Sequence, residues 1–221
     1  MKKLFRQFFV RHSAGRKLVN KYFLLRYGSS KKYWEQRYRR NGNSGAGSYG
    51  GLANYKAAFL NRFVKDQHVK SVIELACGDG NQLNLFEFPF YTGLDISKTA
   101  IDKCRTLFKG DASRDFYTMD ESERIVKAEL AISLDVLYHL VEDIYYEKYL
   151  FQLFSLAKHF VIIYAWDVEG LQQMHVRHRK FSAWIEKNIQ GWQLMQHVAN
   201  HVQIGSCDFF IYEKEIEVLD A

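Results

Sequence analysis

The chain has 221 residues, 48% of them hydrophobic, and a single proline, which fits one compact core. Its cysteines, Cys77, Cys104 and Cys207, are odd in number and lack metal-ligand spacing, so no disulfide framework or metal site is expected and a reduced, cytoplasmic setting is. Net charge is +6, but thirteen Lys or Arg against one acid, Glu35, fall in residues 1–40, leaving an acidic remainder of 18 basic and 24 acidic residues.

A basic arm on an acidic body points to an anionic partner for the arm, such as a membrane surface, a phosphorylated substrate or nucleic acid. MKKLFRQFFVRH starts with charge, but Arg6, Gln7 and Arg11 break its apolar run and no small-residue cleavage site follows, against a signal peptide. No stretch reaches transmembrane length. Leu4, Phe5, Phe8, Phe9, Leu18, Val19, Tyr22 and Phe23 fall near helical spacing, so residues 1–28 read as an amphipathic helical arm and residues 29–221 as the main domain. The arm's apolar face either packs on that domain or lies on a membrane, giving peripheral membrane association.

A helix is expected over SKKYWEQRYRR, a flexible loop over NGNSGAGSYGG, and a second helix over LANYKAAFLNRFVKDQ with Leu52, Tyr55, Ala58, Phe59, Arg62 and Phe63 facing the sheet. Strands and helices then alternate: strand 71–76, helix 80–87, strand 90–94, helix 97–108, strand 115–119, helix 121–127 and strand 129–134. A helix over YYEKYLFQLFSLA, a strand over HFVIIYAW, a polar connection and a helix over FSAWIEKNI follow. Alternation implies a parallel sheet. The closing strands, WQLMQHVAN and SCDFFIYEKE, have no helix between them and must pair antiparallel, since a parallel pair needs a long crossover.

VIELACGDGNQL is the most informative stretch. An apolar strand bearing Glu74 runs into Ala76, Cys77, Gly78, Asp79 and Gly80, and glycines at such a turn permit positive φ and expose N–H groups to a nucleotide-like ligand. The next strand ends in Asp95, about twenty residues on, and a further one, LAISLDVLYHL, leads to Asp135.

This succession resembles the class I S-adenosylmethionine-dependent methyltransferases, whose first strand carries an acid-x-Gly-x-Gly-x-Gly signature; Ala76 stands at the usual first glycine, where a methyl group is expected to permit the same close approach. The resemblance covers roughly residues 30–215 and implies an α/β, Rossmann-like fold with a mostly parallel sheet, an antiparallel carboxy-terminal hairpin and S-adenosyl-L-methionine as cofactor. It implies Glu74, Ala76, Cys77 and Gly78 around the methionine part, Asp95 on the ribose hydroxyls with Ile96 beside it, and Ser133 and Leu134 near the donor methyl. Asp120 is the adenine-side candidate, with Asp111 competing. Trp34, Arg37, Ser48 and Tyr49 resemble a cover, in which Arg37 would pair with the methionine carboxylate and Tyr49 would face the acceptor, unless helix and glycines are merely apolar face and linker.

Asp135 and His139 are four residues apart, so on one helical turn the carboxylate could orient a neutral imidazole to take a proton, with Tyr138 nearby; a packed histidine is the alternative. His175, Arg177, His178, Arg179 and Lys180, with Asp167, either line an acceptor pocket suited to a phosphate, carboxylate or sugar-phosphate or form a solvated loop. The whole pattern looks like bacterial small-molecule and surface-polysaccharide methyltransferases, implying a small-molecule or glycan acceptor and transfer to a hydroxyl or phosphate-linked oxygen. A nucleic-acid methyltransferase or RNA-binding module using the basic arm is the alternative, disfavoured by the lack of an Asn/Asp-Pro-Pro-aromatic tetrapeptide and of a catalytic cysteine pair.

Overall fold

A computed structural model describes residues 22, 25–26, 28–170, 172–173, 175–201 and 205–215. The arm expected over residues 1–28 lies almost wholly outside them, and no helix among the described residues is long and apolar enough to cross a membrane.

Helix α1 (Ser30–Arg39) starts where the Ser29 hydroxyl accepts the Lys32 N–H, satisfying one of the amides a helix start leaves open. Helix α2 (Gly50–Asp66) follows, then β1 (Ser71–Leu75), β2 (Phe90–Asp95), α3 (Lys98–Leu107), β3 (Arg114–Thr118), β4 (Ala128–Leu134), α4 (Asp143–Ser155) and β5 (Ala157–Ala165). A two-stranded hairpin, β6 (Gln172–Gln173) with β7 (Val176–Arg177), sits in the polar connection before α5 (Phe181–Asn188), β8 (Trp192–Val198) and β9 (Asp208–Lys214).

The main sheet runs β3-β2-β1-β4-β5-β9-β8. Its first five strands pair in parallel, while β9 is antiparallel to both β5 and β8, as the missing crossover requires. Alternate residues serve opposite faces: Leu130, Ile132, Ile162 and Phe209 join the layer containing α2 and α3, while Ala131, Val161, Ile163 and Phe210 join that containing α4 and α5. Because strand order reverses between β1 and β4, a crevice opens at their carboxyl ends.

Three local expectations are corrected. The helix expected over 80–87 is a single 3-10 turn, Gln82–Leu85, because Asn61 of α2 takes up the nearby backbone: its amide donates to the Leu85 carbonyl and its oxygen accepts the Glu87 N–H. The helix expected over 121–127 is also a 3-10 segment, Met119–Arg124, with the Glu121 carboxylate accepting the Thr118 N–H and hydroxyl. Helix α2 is rotated from the expected face: Ala53, Lys56, Ala57, Leu60, Phe63 and Val64 are buried, whereas Ala58 and Arg62 are exposed. Phe63 is buried as expected, while Tyr55 and Phe59 pack at the margin of this face.

Candidate active site

The crevice holds about 810 Å³ of space, its solvent-open mouth included. Its floor is the turn after β1, where Ala76, Gly78 and Gly80 all have positive φ, at 65°, 65° and 78°. Glycine adopts this region freely, but the Ala76 methyl group is held there at a cost of about 1–2 kcal/mol, so alanine replaces glycine at the turn less innocently than its size implies.

Asp95 fastens the floor to the next element. Its carboxylate accepts the Gly78 N–H at 3.0 Å and the Ser97 N–H at 2.8 Å, and Ser97 in turn caps α3 by accepting the Ala100 N–H. Burial drives the Asp95 carboxyl up to about 6, opposed by those two amides. Neighbouring Glu74 is pushed up to about 7, again by burial, against the Tyr91 hydroxyl that donates to it at 2.5 Å. Both carboxyls line the crevice, beside Ala76, Cys77, Gly78 and Ile96.

The roof comes from α1 and the glycine-rich loop. Ser44 donates its backbone N–H and its hydroxyl to the two Asp79 oxygens at 3.1 and 2.7 Å, Tyr49 donates its hydroxyl to the same carboxylate at 2.8 Å, and Asn81 donates to the Ser48 carbonyl at 2.7 Å. Glu35 braces α1 at the start of α3, accepting the Ser97 and Thr99 hydroxyls at 2.7 and 2.6 Å. Trp34, Tyr38, Ser44 and Ser48 thereby face the crevice. The loop is not a linker.

At the far end lie Leu134, Asp135, Val136, His139 and Leu140. Asp135 has φ 61°, an uncommon conformation that aspartate tolerates better than most residues. Its oxygens accept Lys56 Nζ at 2.6 Å and the Tyr138 hydroxyl at 2.9 Å. Gly47 abuts the same carboxylate, where a Cβ would collide with Oδ2. His139 donates from Nδ1 to the His175 carbonyl at 3.2 Å; a carbonyl only accepts, so Nε2 carries the lone pair. Burial holds this imidazole down to about 4, and it is neutral at physiological pH.

The crevice therefore gathers Trp34, Glu74, Ala76, Cys77, Gly78, Asp95, Ile96, Leu134, Asp135 and His139. Other candidates are engaged elsewhere. The Arg37 guanidinium donates to Asn43 at 2.6 Å and lies over the Trp34 ring. Asp120 is exposed and paired with Lys31 at 2.9 Å, Asp111 is bound by Ser113, and Met119 takes the place at the end of β3. Ser133 bonds Tyr149 at 2.8 Å inside the sheet. Tyr49 and Tyr138 spend their hydroxyls on Asp79 and Asp135, and Asp167 accepts the N–H and hydroxyl of Ser182 at the start of α5.

The arginines of the cationic run are likewise consumed. Arg177 and Arg179 donate to Asp143 at 2.8 and 3.0 Å and to the carbonyls of Leu140 and Val141, tying the hairpin to the segment before α4. His175 stacks on His139 and on Tyr33, contributing its carbonyl rather than its ring to the buried imidazole. The expected Asp135–His139 hydrogen bond is absent because the left-handed turn at Asp135 aims its carboxylate at α2. Sequence reasoning missed Lys56, Tyr38, Ser44, Gln82, Val136, Leu140 and Tyr149; nothing in their spacing marks them, since the topology alone brings them together.

No protein-family model matches the sequence, and neither does any curated protein. Solved structures do resemble it. Magnesium protoporphyrin IX methyltransferase from Synechocystis PCC 6803, with bound SAM, is 16% identical over 90% of this chain and 97% of its own, with a TM-score of 0.58. The amino pentose methyltransferase CalS10 from Micromonospora echinaspora, also SAM-bound, is 11% identical over 76% of this chain and 93% of its own, with a TM-score of 0.58. The methyltransferase domain of bacterial CtHen1 is 17% identical over 75% of this chain and 100% of its own, with a TM-score of 0.61. At such low identity the likeness is one of backbone, and together with the strand order it establishes that this chain has the class I S-adenosylmethionine-dependent methyltransferase fold.

Proposed function

We propose that the protein is an S-adenosylmethionine-dependent methyltransferase acting on a small molecule or glycan, with a hydroxyl oxygen as the favoured acceptor. The observation that carries this reading is the placement of Asp95, a buried carboxylate that pins the glycine turn and faces the same crevice as His139. Two amides leave about half of its acceptor positions for a ribose diol. Glu74 and the 76–78 backbone would hold the methionine part, and Ile96, Met119 and Leu140 offer an apolar slot for a flat base.

When bound, the cofactor supplies an electrophilic methyl group on a sulfonium. The chain's task is then mainly positioning. The roof formed with Ser44 and Ser48 covers one side of the site, and His139 Nε2, unprotonated and lining the crevice, receives the acceptor's proton. The sequence likeness to surface-polysaccharide methyltransferases favours a sugar hydroxyl, and peripheral membrane contact through residues 1–28 belongs to the same reading.

Calorimetric titration of the full chain with S-adenosylhomocysteine tests the proposal. Micromolar binding that Asp95→Ala weakens by about a hundredfold is expected, the scale of a charge-assisted contact plus its share of the turn. Lack of measurable binding by the unmodified chain refutes it.

A further inference from the structure

Lys56 is the largest unexplained polar commitment in the molecule. A lysine almost never lies fully buried without a purpose or a partner, yet this one, on the sheet-facing side of α2, is 0% exposed and within 2.6 Å of Asp135 Oδ2. Asp135 sits where β4 opens into the crevice and retains 16% side-chain exposure. Of the roughly four acceptor positions on a carboxylate, Lys56 and Tyr138 occupy two.

The remaining walls settle the charge of the site. Among the described residues no lysine or arginine side chain lines the crevice. Its ionisable lining is Glu74, Asp95, Asp135 and the neutral His139, while Arg37, Arg177 and Arg179 are bound to Asn43 and Asp143. Around the acceptor end stand Trp34 and His139, edge to face at 5.1 Å, with His175 stacked behind. Among the described residues, an anion entering here meets the Asp135 carboxylate first, with the Lys56 ammonium buried behind it.

We infer that Lys56 is a positioning residue which holds the Asp135 carboxylate oriented, and that Asp135 selects an acceptor presenting a hydrogen-bond donor, a hydroxyl or an amine on a flat or apolar frame, while rejecting phosphates and carboxylates. The inference rests on the methyltransferase reading above and deepens it: the acceptor is neutral or cationic at the atom that meets Asp135. Lys56 makes the choice possible. With it, the Lys56–Asp135 pair is neutral overall and accepts a plain hydroxyl; without it, the lone carboxylate favours a cation.

The full chain loaded with S-adenosylhomocysteine is titrated by NMR with benzyl alcohol, benzylamine, benzoate and phenyl phosphate. Benzyl alcohol and benzylamine should bind, and the two anions should bind at least about tenfold more weakly, as unpaired like charges require. Asp135→Asn should abolish the preference of benzylamine over benzoate, and Lys56→Met, saturated with S-adenosylhomocysteine, should raise the ratio of benzylamine to benzyl alcohol affinity. Anions binding as well as the neutral and cationic probes, an unaltered ranking in Asp135→Asn, or no binding by either donor probe overturns the inference. Asp135→Asn, nearly isosteric, decides the matter if Lys56→Met does not fold. Failure of the chain to load S-adenosylhomocysteine appears at the first step and counts against the cofactor reading instead.

Discussion

Nδ1 of His139 lies 3.2 Å from the carbonyl of His175, not against the Asp135 carboxylate four residues before it. That geometry fixes the tautomer through a backbone carbonyl and not through the Asp135 carboxylate. His139→Ala should lower turnover by about a hundredfold or more while S-adenosylhomocysteine affinity stays within about threefold. Because the imidazole is held down to about 4, kcat at saturating cofactor should stay flat from pH 8 to about 5.5, where an ordinary histidine would already have lost about nine-tenths of its base. A midpoint near 6.5 in that profile contradicts the assignment.

Asp95 makes cofactor affinity depend on pH in a defined direction. Its carboxyl is raised to about 6, and ribose hydroxyls donate to the ionised form, so affinity should be full above pH 7 and fall by up to about tenfold per unit below pH 6. Calorimetry between pH 5 and 8 reads this. A constant affinity over that range removes Asp95 from the ribose.

Glu74 pushes stability the opposite way. The folded chain holds a proton on this carboxyl up to about pH 7, whereas the unfolded chain releases it near 4.5, so its contribution is present below 4.5 and lost as pH rises through 7. Glu74→Gln should flatten that part of the stability curve, by up to about 3 kcal/mol between pH 4.5 and 8 in urea unfolding. Parallel curves for the two proteins would show that Tyr91 and Lys56 keep Glu74 ionised.

Gly47 is a steric sentinel. No positive φ is needed there, so Gly47→Ala tests space alone, and the added methyl group meets the Asp135 carboxylate. We expect a destabilisation of about 1–3 kcal/mol or a displaced loop, with loss of donor-probe binding and near-normal S-adenosylhomocysteine affinity. Retention of both affinities would place the loop away from the acceptor end.

How much of this was legible beforehand follows from what each feature depends on. Near-continuous apolar runs, as in β4 and β5, announce strands buried on both faces, and the missing crossover between the last two forces their antiparallel pairing. Asp95 was legible for the same reason: its distance from the glycine turn is a property of one βαβ unit. Lys56 was not, because the aromatic side chains of α2 suggested a face rotated away from the true one, and a buried lysine makes sense only once β4 brings Asp135 alongside. The arginines of the 175–180 run read as an acceptor patch because a sequence shows charges without their partners; Asp143, more than thirty residues away, claims two of them.

The crevice is assembled from segments far apart in the chain: Ser44 meets Asp79 across 35 positions, Glu35 meets Thr99 across 64 and Ser30 meets Glu142 across 112. The sheet beneath needs none of these ties. Native-state amide exchange should accordingly find α1 and the glycine-rich loop opening as one unit well below the energy of global unfolding, so that the protein can lose and regain its ligand-holding half without ever unravelling its strands.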